Sequence, residues 1–190
     1  MKDFPEIIKD GDLSLVKLAP TFENTKKVFD LIDRNREYLK KWVNWTDYVQ
    51  KPEDEFLTVQ DMGKKETGAF FILLDDEIVG AIEFFNVKEK YKSAEIGYWI
   101  GQEFSGRGIA SRAVRLMEKM FFADFGWNRL VIETDVKNGR SVRVRLAQKL
   151  GYHLDGELRQ AYKVSDDGDF IDLFVFSKLK SEWTMENKNA

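Results

Sequence analysis

The chain has 190 residues, 43% of them hydrophobic and 33% charged, with a formal charge of −3 and no cysteine. A chain of this size fills one complete core, so one domain over residues 1–190 is expected. The small acidic balance provides no basic field for nucleic acid or an anionic membrane, and the absence of cysteine removes disulfides, thiolate metal sites and cysteine nucleophiles.

"MKDFPEIIKDGD" has no apolar signal-peptide core, and no apolar run approaches the roughly 20 residues of a membrane span, so a cytoplasmic protein is expected. "LSLVKLA" (13–19) alternates as a strand does. Over 22–45, Val28, Leu31, Ile32, Leu39, Trp42 and Val43 recur at helical intervals, giving two short helices broken near Arg34 and Asn35. "PEDEFLTVQDMGKK" reads as a further helix, with Pro52 at its start and acids in its first turn. "AFFILLDDEIVGAIEFFNV" gives a hairpin around Asp75 and Asp76, although neither residue is the glycine such turns favour. "AEIGYWI" is the next strand, antiparallel to the second arm of the hairpin. After Gly108 the period changes: Ile109, Ala110, Ala113, Val114, Met117, Met120 and Phe121 form the apolar face of a helix of about four turns. "RLVIETDV" is a strand, and "SVRVRLAQKL" a helix ended by Gly151. "YHLDGEL" and "FIDLFVFSKL" are strands around a turn at Asp166, Asp167 and Gly168. Strands and helices in this order are neither a βαβ array nor all-β, so the fold class is α+β.

The segment Ser105-Gly106-Arg107-Gly108-Ile109-Ala110 enters the long helix through two glycines. A helix N-terminus offers unpaired N–H groups and the positive end of a dipole, and glycine lets an anion approach them. Arg107 can add a charged contact. The alternative is a tight turn into an ordinary core helix. No G-x-x-x-x-G-K-[ST] loop is present. A dinucleotide-binding G-x-G-x-x-G/A nearly fits, with Ser111 last and Asp135 near the ribose-binding distance, but "GQEFS" separates Ile100 from Gly106.

Taken together, "RNREYLKKWVNW", "AEIGYWIGQEFSGRGIASRAV", "NRLVIETDVKNGRS", "KLGYHLDGELR" and "DFIDLFVFSKLKSEW" resemble the GNAT superfamily of N-acetyltransferases along nearly the whole chain. The resemblance is to the branch of ribosomal-protein N-terminal acetyltransferases of the RimJ and RimL type. It implies a mostly antiparallel mixed sheet of six to seven strands, flanked by helices and splayed where acetyl-CoA binds as cosubstrate, with no metal. The family loop Q/R-x-x-G-x-G/A falls on 105–110, with Ser105 where Gln or Arg is usual. By the same resemblance, Trp99 and Ile100 pair with the pantetheine arm, Asn138 contacts it, and Ser141 donates a hydrogen bond to the departing thiolate. Asn138 and Ser141 are also good helix caps, and the interval from Asn138 to Gly151 is two residues longer than usual, which brings Arg143 or Arg145 toward those positions.

The reaction itself, attack of a neutral amine on a thioester, needs positioning, electrostatic stabilisation and a proton acceptor. Glu95 and Glu83 lie in strands beside the implied cleft and are the candidate bases; the other reading of each is a solvated strand face. His153, the one histidine, reads as an ordinary strand position, and no His/Asp/Glu cluster has metal-ligand spacing. Asn35, Arg36, Trp42 and Trp45 are candidate acceptor-groove residues by resemblance, together with the final hairpin. The acceptor is a protein N-terminus or a small amine; homo-oligomerisation is implied by the family alone. An NAD(P)-dependent oxidoreductase and a non-catalytic CoA-binding protein are the rival classes.

Overall fold

The computed structural model describes residues 4–17, 21–56, 68–136, 142–163 and 168–188, with the backbone alone for 142 and 143. Its strands are β1 (Ile7–Asp10), β2 (Leu13–Lys17), β3 (Gly68–Leu74), β4 (Glu77–Lys88), β5 (Ser93–Ile100), β6 (Arg129–Asp135), β7 (His153–Lys163) and β8 (Phe170–Leu179). The helices are α1 (Phe22–Arg34), α2 (Arg36–Leu39), α3 (Ile109–Glu118), α4 (Val142–Lys149) and α5 (Lys180–Lys188).

One sheet of eight strands runs β1-β2-β3-β4-β5-β6-β8-β7. This is more strands than the six to seven expected. The addition is β1, whose four residues pair with β2 through a tight turn where Gly11 takes φ +61°. Its residues, Ile7-Ile8-Lys9-Asp10, do not alternate between apolar and polar, so no strand pattern is declared. Every pairing is antiparallel except β5 with β6, which are joined through α3, so the sheet is not the mostly parallel one that a dinucleotide fold requires.

The turn between β3 and β4 works without glycine because Asp75 and Asp76 both adopt positive φ, as a type I′ turn demands. α1 starts at Thr21, whose hydroxyl accepts from the Asn24 N–H, and ends at Asn35. The helix read from Pro52 is present at 52–56; its continuation, like the turn at Asp166 and Asp167, lies outside the described residues.

The two sheet faces are covered differently. Phe70 and Ile72 of β3 belong to the core packed by Ile109, Ala113, Val114 and Met117 of α3, whereas Phe71 between them packs with Val28 and Ile32 of α1. α3 runs on into a π-helical turn, Lys119–Asp124, which buries Phe121 against Phe84 and Trp127 at ring centroids of 5.1 and 4.9 Å. Truncating such a ring to alanine costs about 3–5 kcal/mol.

Candidate active site

β5 and β6 share three rungs, Ser93↔Arg129, Ala94↔Leu130 and Glu95↔Val131, and then part. β5 continues to Ile100 and β6 to Asp135 with no further pairing between them. The sheet is therefore splayed between β5 and β6, as the family resemblance implies for an acetyl-CoA site.

Beyond Ile100, the Gly101 N–H bonds Val79 O at 3.0 Å, and a 3-10 turn, Gln102–Phe104, leads into the loop. Gly106 and Gly108 take φ +78° and +77°, a region costly for residues with a Cβ, and a Cβ built on either meets nothing within 4 Å. The Ser105 N–H bonds Gln102 O and the Arg112 N–H bonds Gly108 O. Among the described residues, the N–H groups of 106–111 have no main-chain partner. These are the orphan donors of a helix start, facing open space that glycine keeps clear.

A cavity of about 400 Å³ adjoins this loop. Trp99, Ile100, Ser105, Gly106, Gly108, Ile109 and Ala110, all expected here, line it. Arg107 instead lies exposed on the surface, its guanidinium 6.0 Å from the Phe104 ring. The Ser105 hydroxyl is 3.3 Å from that of Tyr38 of α2, which lines the same cavity. The opposite wall carries Arg145 and Lys149 of α4. Lys149 was not singled out from sequence; its signal is the i, i+4 spacing from Arg145, which puts both cations on one helix face. Asn138 and Ser141 lie outside the described residues. Open amides, cleared glycines and two cations together fit a diphosphate.

A second cavity of about 360 Å³ shares Trp42, Tyr98 and Trp99 with the first. Strand alternation builds it: Glu83 and Phe85 of β4 stand opposite Gly97 and Glu95 of β5, on one face of the sheet. Gly97 makes room for both Glu83 and Phe85, since a Cβ there would come within 2.9 Å of the Phe85 ring and 3.2 Å of Glu83 Oε1. Burial raises the Glu83 carboxyl above its usual range. Glu95 is pushed to about 7, first by burial and then by Glu133 and Glu83, against a hydrogen bond from Asn86 and the charge of Lys88. The Asn86 amide donates to Glu95 Oε2 at 2.8 Å from a bulge where Asn86 itself has φ +51°.

Glu133 and Asp135 of β6 also line this cavity. Neither was read as an acceptor residue, since alternation in "RLVIETDV" does not tell which face meets the opening. Glu55, buried and also pushed to about 7 by burial and then by Glu83, is a second omission. Trp45 lines the cavity with its ring 5.9 Å from Trp99, and Tyr162, Ile171 and Leu173 of the final hairpin close it. His153 is exposed in β7 and lines neither cavity.

Two expected acceptor residues do not reach the groove. Asn35 is buried, donating to Leu31 O at 3.0 Å and accepting from the Gln102 N–H at 2.7 Å, so it pins the end of α1 to the loop approach. Arg36 donates to Val49 O at 2.8 Å, to Thr46 O and to Asp33. It holds the segment that carries Trp45. Among the described residues, no group of three or more His, Asp or Glu side chains could hold a metal ion, and no helix is long and apolar enough to cross a membrane.

The acetyltransferase (GNAT) domain family matches residues 15–153. The ribosomal-protein-serine acetyltransferase of Escherichia coli (strain K12) is 33% identical over 174 residues, spanning 90% of this chain and 96% of that protein. Among solved structures, the microcin C7 self-immunity acetyltransferase MccE, in complex with acetyl-CoA and AMP, superposes with a TM-score of 0.82 at 26% identity, covering 93% of this chain and 97% of that one. RimL, a ribosomal L7/L12 alpha-N-protein acetyltransferase in complex with coenzyme A, has the same fold, with a TM-score of 0.84 at 24% identity over 93% of this chain and 99% of that one. The chain belongs to the GNAT acetyltransferase family and is an acetyl-CoA-dependent N-acetyltransferase.

Proposed function

We propose that this enzyme acetylates the N-terminal amine of a protein, as a single domain acting in the cytoplasm. The observation that carries the reading is the meeting of the two cavities at Trp42, Tyr98 and Trp99, where β5 and β6 part. Acetyl-CoA supplies an activated acyl group: the amine nitrogen forms a C–N bond as the C–S bond breaks, and the sulfur leaves with the electron pair. The chain's residues do the rest.

The open amides of 106–111, with Arg145 and Lys149, hold the diphosphate. The unpaired edge of β5 at Trp99 and Ile100 receives the pantetheine arm. Ser141 donates a hydrogen bond to the departing sulfur, and Asn138 contacts the arm. On the acceptor side Trp42 and Trp45 wall the amine, and Glu95 takes its proton. A carboxyl near 7 is divided between acid and base at neutral pH, which suits that task better than an ordinary glutamate. Glu83 is the second candidate.

One feature favours a different acceptor. Four carboxylates line the acceptor cavity, Glu83, Glu95, Glu133 and Asp135, and such a wall also suits a small polycationic amine. The test is thiol release from acetyl-CoA with peptides bearing free N-terminal Ser or Ala, the same peptides N-terminally blocked, and spermidine, with mass spectrometry locating the acetyl group. Turnover of the free peptides and not of the blocked ones is expected. Turnover of spermidine alone replaces the first reading with the second, and no turnover of any amine removes both.

A further inference from the structure

Glu133 was absent from the sequence argument, and the reaction as described gives it no task. It stands on β6 two residues beyond Val131, the last residue to share a rung with β5, and on the same face as Val131. Its other edge is closed, because it pairs with Val175 of β8. The carboxyl thus stands at the lip of the opening, in the same cavity as Glu95 but on the facing strand. Half-buried, it has Lys88 as its opposing charge, and among the described residues no lysine or arginine forms a salt bridge with it.

We propose that Glu133 is a specificity-determining residue, whose carboxylate binds the acceptor's ammonium on entry and holds that nitrogen beside Glu95. The inference rests on the acetyl-transfer reading. Two carboxylates across one opening divide the work: one accepts the proton, and the other keeps its charge. Glu95 is faced by Glu83, Asn86 and Lys88 from β4 and by Glu133 from β6. Burial raises both carboxyls and Lys88 opposes the rise at both; Glu133 is the less buried, so it is the member that ionises more readily.

The test is Glu133→Gln, which keeps size and hydrogen bonding but removes charge, with Glu133→Asp as the conservative rescue. For a cationic acceptor, KM is expected to rise roughly tenfold in Glu133→Gln with kcat within about threefold, and Glu133→Asp to recover most of the loss. Carbon-13 titration of the glutamate carboxyls, which needs no turnover, is expected to move the Glu95 midpoint to lower pH in Glu133→Gln as a negative neighbour is lost. An unchanged KM overturns the proposal, as does a fall in kcat alone. A wild-type enzyme that acetylates no amine sinks the functional reading instead, and the carboxyl titration still reports whether Glu133 and Glu95 interact.

Discussion

Replacing Asn86 by glycine removes the hydrogen bond its amide donates to Glu95 Oε2 at 2.8 Å. Glycine is preferred to alanine because the backbone there has φ +51°, which alanine would strain. That bond favours the carboxylate, whereas burial, Glu133 and Glu83 favour the acid and set the carboxyl at about 7. If Glu95 must be ionised to take the amine proton, kcat rises with pH through about 7 and falls roughly tenfold per unit well below it. A hydrogen bond to a charged group contributes about 1.5–3 kcal/mol when buried, and less where water reaches it, as here. Its loss therefore raises the midpoint by roughly half a unit to one unit. The variant is expected to turn over about two- to fivefold more slowly at pH 7 and close to wild type at pH 9. kcat is followed rather than kcat/KM, since protonation of the free amine enters the latter. Glu95→Gln should lower kcat by about 10²- to 10⁴-fold and abolish the acid limb. A limb that stays in place or moves to lower pH in Asn86→Gly, or that persists in Glu95→Gln, refutes the assignment.

Three further outcomes follow from single residues. Glu55 is protonated in the fold up to about 7 but ionises at an ordinary pH when unfolded, so folding stability declines as pH rises between those values. Glu55→Gln should therefore add roughly 1–3 kcal/mol at pH 8 and nothing at pH 4, read by chemical denaturation at both pH values. Asn35→Ala strips the Gln102 N–H of its acceptor and should cost about 1–3 kcal/mol of stability while leaving the acceptor KM unchanged; a raised KM with full stability would return Asn35 to the groove. Gly108→Ala adds a methyl group into open space at φ +77°, so the free protein should lose about 1–2 kcal/mol. Its affinity for coenzyme A should fall by about tenfold or more, because the methyl stands where the diphosphate must come. Calorimetric binding within twofold of wild type would contradict this.

The parts legible in the sequence are those written in local periodicity. The apolar face of α3 and the glycines that open it could be read because helix spacing and the need for positive φ are properties of a few adjacent residues. That the sheet splays was expected from family resemblance alone, and the rung at which it parts, Glu95 with Val131, was not, since strand pairing leaves no local trace. Glu133 shows why the site was harder to read: its alternation in β6 was plain, but its role depends on where β5 leaves off. Asn86 acts through a bulge that no turn signature announces. Asn35 was a groove candidate by family resemblance, yet its side chain caps the end of α1 and pins Gln102 instead. Asn138 and Ser141 lie outside the described residues, and their roles remain those the family implies.

The most direct measurement follows the backbone amide resonances of nitrogen-15-labelled protein while coenzyme A is added. The N–H groups of 106–111 should show the largest shift changes, because they have no main-chain partners in the free protein and take up the diphosphate when it arrives. Saturable binding that leaves those six resonances in place would contradict the account at its foundation.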